Sequence, residues 1–208
     1  MLHFLKRVLI DVAEVLYFSE ARVANWNSDD ISVISTESYQ VIKTIKVGAI
    51  PRGVEFTPDG KYVYVCNFGA STISKIDVAS LEVINTIQNV GYKPRDMVIS
   101  SKGDYGYFSA FGDGYLRKLD LSTDEVVEKI KIGSEPRSVC MTNNNKYLFV
   151  VNYENGTVDA VDLTEFKIIG EYDADTGAVG VALSPDNKFL WVTNQSTGSV
   201  IVYKINYQ

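Results

Sequence analysis

Residues 57–67 read Thr-Pro-Asp-Gly-Lys-Tyr-Val-Tyr-Val-Cys-Asn. A turn leads into an apolar run that stops on an asparagine. Proline presets φ, Asp and Asn bond nearby backbone, and Gly accepts positive φ, so the first five residues are turn chemistry. The closing four, Tyr64-Val65-Cys66-Asn67, return as Tyr107-Phe108-Ser109-Ala110, Phe149-Val150-Val151-Asn152 and Trp191-Val192-Thr193-Asn194. A weaker copy is Arg22-Val23-Ala24-Asn25. Their last positions are 25, 67, 110, 152 and 194, at intervals of 42, 43, 42 and 42. Intervals this regular mark an internal repeat.

The surroundings recur in phase. Turns precede the motif at Ser101-Lys102-Gly103-Asp104, Asn143-Asn144-Asn145-Lys146 and Ser184-Pro185-Asp186-Asn187-Lys188. A short apolar run precedes each turn: 53–56, 96–99, 138–141 and 180–183. Two alternating segments follow the motif, such as Ile73–Asp77 and Val83–Ile87. Period-2 alternation with short turns reads as strands. Four antiparallel strands in about 42 residues are the pattern of one propeller blade.

Length and composition agree with that reading. The chain has 208 residues, 46% hydrophobic and 22% charged, which suffices for a real core. Its net charge of −6 argues against a nucleic-acid footprint, which needs clustered Lys and Arg. No run of eighteen apolar residues is present, so no membrane span is expected. Residues 1–18 are broken by Lys6, Arg7, Asp11 and Glu14, unlike a secretory signal. The compartment stays open: cytoplasmic if the chain is complete, periplasmic or cell surface if a signal was removed. Cys66 and Cys140 lie in different repeats and are expected to be buried small apolar residues. His3 is the single histidine. No Ser-His-Asp set and no zinc cluster is therefore expected, nor any metal or cofactor.

The motif, its preceding Pro-Asp-Gly-Lys turn and the Ile-Asp segment after it resemble the YVTN-type repeats of bacterial and archaeal β-propellers, a group that includes surface-layer and lactonase-like proteins. The resemblance runs over residues 20 to 204. It implies an all-β propeller whose innermost strand, A, is the Gly-Val-Ala-type run, and whose second strand, B, is the motif. In the first complete blade the four strands A to D then span about 52–57, 62–67, 72–78 and 82–89.

This register gives complete blades at 51–90, 94–132 and 136–173, with partial blades at 20–47 and 177–208. Two readings of residues 1–19 stay open. As strands, Leu5 to Ile10 and 12–18 would complete the two partial blades and close five blades in one domain, expected to be a monomer. As a helix, Leu2, Leu5, Leu9, Val12 and Leu16 form an apolar face, and the chain is then a piece of a larger propeller.

In a propeller the D–A and B–C loops emerge on one face, around the channel mouth. Two repeated features fall there. Strand A opens on Pro51-Arg52, Pro94-Arg95 and Pro136-Arg137, with Ala178-Val179 in the last unit. Guanidinium groups at Arg52, Arg95 and Arg137 can hold a carboxylate or phosphate in bidentate fashion. They could equally pair locally, with a carbonyl or with Glu55, Asp96 or Glu135. An aromatic follows the motif at Trp26, Phe68, Phe111 and Tyr153, with Gln195 breaking the series. Such rings suit stacking on sugars, peptides or a protein surface, or they cap their own loops. The motif Asn is expected to bond loop backbone.

The leading expectation is a non-enzymatic propeller that binds a protein, peptide, glycan or small anionic ligand. A lactonase-like hydrolase acting at the channel mouth is the second expectation.

Overall fold

The computed structural model describes residues 20–206. The expected closing segment, 1–19, lies outside the described residues. Every regular element among the described residues is a strand, and the chain divides into two compact units between Pro94 and Arg95.

The first unit carries β1 (Glu20–Asn25), β2 (Asp30–Ser35) and β3 (Val41–Lys46) in one antiparallel sheet. A second sheet follows, with β4 (Pro51–Phe56), β5 (Tyr62–Asn67), β6 (Thr72–Asp77) and β7 (Glu82–Ile87) paired in chain order. The second unit repeats the plan. Its sheets are β8 (Pro94–Ile99) to β9 (Tyr105–Ala110), β10 (Tyr115–Asp120) and β11 (Glu125–Lys131). Next come β12 (Pro136–Met141), β13 (Tyr147–Asn152), β14 (Thr157–Asp162) and β15 (Lys167–Asp173). A three-stranded sheet of β16 (Ala178–Leu183), β17 (Phe189–Asn194) and β18 (Ser199–Lys204) completes it.

The repeat is visible below the level of strands. A bulge interrupts the pairing of the third strand with the fourth at Val33/Ile34, Lys75/Ile76, Lys118/Leu119 and Ala160/Val161. A second irregularity recurs in the first strand, at Pro51/Val54, Pro136/Val139 and Ala178/Gly180. Bulges bend a strand and increase its twist, so a repeated bulge gives each sheet the same curvature.

The A–B turns are built as their residues dictate. Thr57 Oγ donates to Asp59 (2.7 Å), and Asp59 accepts the Lys61 N–H (3.1 Å). Those two bonds, the Thr57 hydroxyl first, hold the Asp59 carboxyl below its ordinary range. The same frame stands at Thr142–Asn144–Lys146 and Ser184–Asp186–Lys188. The fourth turn position has positive φ at Gly60, Gly103, Asn145 and Asn187, all residues that tolerate it.

Sheets stack face on face within each unit. In the first, Ala24, Ile31 and Val33 of one sheet pack on Phe56, Val63, Val65 and Ile76 of the next. In the second, Leu116 meets Val139, Leu148, Val150 and Val161, and Phe149, Val151, Val158 and Ala160 meet Val181, Leu190 and Val192. The second strand of each four-stranded sheet is buried on both faces, whereas the fourth is mostly exposed. Cys66 and Cys140 are buried and form no disulfide. Among the described residues no helix is long and apolar enough to cross a membrane.

This contrast predicts unequal costs within one sheet. Leu148→Ala, at a fully buried position of β13, should destabilise by ~2–5 kcal/mol. Ile169→Ala, half-exposed on β15, should cost under ~1 kcal/mol. Urea unfolding of both variants checks this, and equal losses would contradict the stacking.

Candidate functional site

Two of the Pro-Arg repeats tie the start of the first strand to the aromatic by one backbone device. The residue before the Pro-Arg pair lies in the left-handed region: Ile50 (φ 50), Lys93 (φ 58) and Glu135 (φ 52). That is a costly conformation for residues with a Cβ. In the unit that lacks Pro-Arg, Gly177 holds the place (φ 94). The carbonyl of this residue is turned to the end of the second strand. The N–H of Phe68 donates to the Ile50 carbonyl (3.0 Å), that of Tyr153 to the Glu135 carbonyl (3.2 Å) and that of Gln195 to the Gly177 carbonyl (2.8 Å). The aromatic is thereby tied one residue from the proline, and two from the arginine.

The two sets read separately from the sequence are one structure. In the first unit the Arg52 guanidinium lies between two rings, its Cζ 3.5 Å from the Trp26 centroid and 4.8 Å from that of Phe68. In the second unit Arg137 lies between Tyr153 (3.7 Å) and Phe111 (5.8 Å), and Arg95 faces Phe111 from 5.8 Å. Phe111 thus has a guanidinium group on either side. All seven side chains are half-buried. Stacking on a π face satisfies the flat surfaces of a guanidinium and leaves its edge for hydrogen bonds. Among the described residues the Arg137 guanidinium makes no hydrogen bond, and its Nε is buried without a partner. The Arg137 carbonyl, by contrast, accepts the Ser109 hydroxyl (2.5 Å), which fixes the backbone of β12 beside β9. Asp96 Oδ2 accepts the Val139 N–H (3.1 Å) and spans the same two sheets.

The asparagine that ends the motif differs from expectation at three of its four positions. Asn25, Asn67 and Asn152 donate to side chains of the following strand, five and seven residues on: Asp30 and Ser32, Thr72 and Ser74, Thr157 and Asp159. Asn194 alone bonds backbone, at the carbonyls of Ala174, Asp175 and Thr176. Where Ala110 replaces the asparagine, Arg117 takes the place of Ser74 and forms a bidentate pair with Asp113 (2.9 and 2.7 Å). These groups brace the loops below the Arg–aromatic stacks. The signal for them was the recurrence of a polar residue seven positions after the motif.

Asp159 is the one brace that carries a carboxyl with no cation against it in these contacts. Burial pushes its pKa up, and the bonds from Asn152 (2.9 Å) and the Gly133 N–H (3.3 Å) offset part of that. Because the folded value is raised, the unfolded chain loses this proton first as pH climbs. The contribution of Asp159 to stability is full below about pH 4 and falls as pH rises through the folded value. Asp159→Asn should gain on the wild type steadily from acid to neutral pH in urea unfolding. A difference that stays constant with pH would contradict this.

Comparison with known proteins agrees with the geometry. The model of the lactonase 7-bladed β-propeller matches residues 16–111, and that of the cytochrome D1 heme domain matches residues 95–179. Hydrazine synthase of Kuenenia stuttgartiensis superposes with a TM-score of 0.80 at 22% identity, over 92% of this chain and 57% of that one. Antigen Lp49 of Leptospira interrogans is 34% identical over 73 residues, which are 33% of this chain and 16% of that protein. The chain spans less than two thirds of either relative. Its fold is the β-propeller. Its likeness to the lactonase model is confined to residues 16–111.

For the haem named in the second model, the matching residues, 95–179, offer no histidine ligand. Met97 and Cys140, soft donors that could serve as axial ligands, are buried in the apolar core. Among the described residues no three His, Cys, Asp or Glu side chains gather as a metal site.

Proposed function

We propose that the protein is a non-enzymatic binding propeller, and that it takes the carboxylate or other anionic group of a protein, peptide or small acid at its Arg–aromatic stacks. The observation that carries it is Arg137. Its guanidinium lies between Phe111 (5.8 Å) and Tyr153 (3.7 Å) and makes no hydrogen bond among the described residues. An anion gains two parallel charge-assisted bonds at such a group. Arg95, on the far side of Phe111, adds a second positive charge to the same stack. Trp26, Arg52 and Phe68 form a matching stack in the first unit.

A hydrolase of lactonase type is the second reading, supported by the model that matches residues 16–111. Membership of a larger propeller is the third, supported by the seven blades of that model.

Calorimetric titration with a hexaglutamate peptide, and separately with inorganic phosphate, tests the proposal. Arg137→Gln should weaken binding of at least one probe about tenfold, the range expected for ~1.4 kcal/mol, while thermal unfolding shifts little. Wild-type protein that binds neither probe, or a variant that loses stability with unchanged binding, would overturn it. Turnover of a lactone panel above background would support the hydrolase instead.

A further inference from the structure

The bracing position seven residues after the motif is held in turn by Ser32, Ser74, Arg117 and Asp159. Only the last of these changes its charge between about pH 3 and 9. Asp159 is buried, and its Oδ2 takes two bonds, from Asn152 Nδ2 (2.9 Å) and from the Gly133 N–H (3.3 Å). One carboxylate thus joins the loop that leads into Pro136-Arg137 to the residue before Tyr153. Its other oxygen, Oδ1, makes no hydrogen bond among the described residues, and neither does the buried Asn152 Oδ1. Two acceptors without a donor therefore stand on one bonded acid–amide pair, and a proton is what that pair lacks. Asn67 Oδ1 is buried without a partner as well, but the groups that Asn67 meets, Thr72 and Ser74, have fixed protonation.

We propose that Asp159 is a proton-operated switch for these two loops. A proton taken from water binds Oδ1, and the new O–H donates to Asn152 Oδ1 while Asn152 Nδ2 goes on donating to Oδ2. Acid and amide then share two parallel bonds. The carboxyl has lost its charge, and its hold on the Gly133 N–H, already long at 3.3 Å, weakens. When the proton leaves, the Gly133 bond strengthens and draws in the loop at 132–135.

The surroundings favour the proton. Glu171 of β15 lies opposite Asp159, and Asp173 lies opposite Thr157. Glu135 and Glu154 stand on the two loops. The β8–β11 sheet turns Tyr107 and Lys118 towards this sheet, where both meet Phe166, and Lys118 is paired with Glu128 (3.0 Å). Burial first, and then Glu171, favour the neutral acid against the two bonds that favour the anion. The effect on ligands rests on the anion site proposed above. The charge that is removed is bonded to the residue before Tyr153, so anions bind the Arg137–Tyr153 stack more tightly as pH falls.

NMR tests this, with the Asp159 carboxyl carbon, the Asn152 side-chain amide and the Gly133 N–H followed from about pH 3 to 8. The expected result is one shared midpoint above the ordinary Asp value of about 3.9, with the Asn152 and Gly133 titrations lost in Asp159→Asn. A carboxyl that titrates at or below the ordinary value, or amides that ignore its titration, overturns the switch. Sulfate, whose charge is constant over this range, is titrated in parallel by calorimetry. Its affinity should rise about threefold as pH falls through the midpoint, the scale of one unit charge at a partly buried surface, and this step should be absent in Asp159→Asn. Sulfate affinity that ignores the midpoint overturns the link to the anion site. A chain that binds no sulfate at all counts against the anion site itself, and the resonances still decide the switch.

Discussion

The structure depends on one constraint: a four-stranded sheet with two apolar faces must be covered on both. Leu148 and Val150 of β13 point one way, Phe149 and Val151 the other, and both sets are buried by neighbouring sheets. No single 42-residue repeat can satisfy that alone, so neighbouring sheets stack within each of the two compact units. The constraint fades from the second strand to the fourth. There, exposed Lys129 and Lys167, with Lys118 paired to Glu128 (3.0 Å), keep the outer strands soluble and hinder pairing with other chains.

The candidate site is a by-product of the same stacking. Adjacent sheets bring the end of one unit's second strand beside the start of the next unit's first strand. An aromatic at the former and an arginine at the latter must then meet, as Trp26 meets Arg52 and Phe111 meets Arg137. The left-handed residue before each proline holds that junction at a cost in backbone strain. Strain kept at several equivalent places, against what Gly could supply freely, suits a position whose geometry matters for recognition.

Much of this was legible in the sequence because period and turn chemistry are local. The interval of 42 located the strands, and Thr57-Pro58-Asp59-Gly60 announced its own turn. The motif asparagines were expected to bond loop backbone, but three of them meet side chains of the following strand, since groups such as Thr72 and Ser74 come within reach only once the hairpin forms. The union of the arginines and aromatics was hidden for a similar reason: sequence spacing does not reveal which side chains meet across two stacked sheets. The strained carbonyls of Ile50 and Glu135 left one trace, the glycine at 177 in the unit without Pro-Arg. In the repeat where Ala110 stands in place of the asparagine, Arg117 occupies the Ser74 position and pairs with Asp113.

The central claim is that the stacks hold a guanidinium flat so that its edge can receive an anion. The most direct measurement is the Nε–Hε resonance of Arg137 in nitrogen-edited NMR spectra, followed as hexaglutamate is added. The account predicts a saturable shift at Arg137, absent in Tyr153→Ala, where the stack is opened. A resonance that stays fixed while other residues report binding would contradict it and leave the arginine as a strut between sheets.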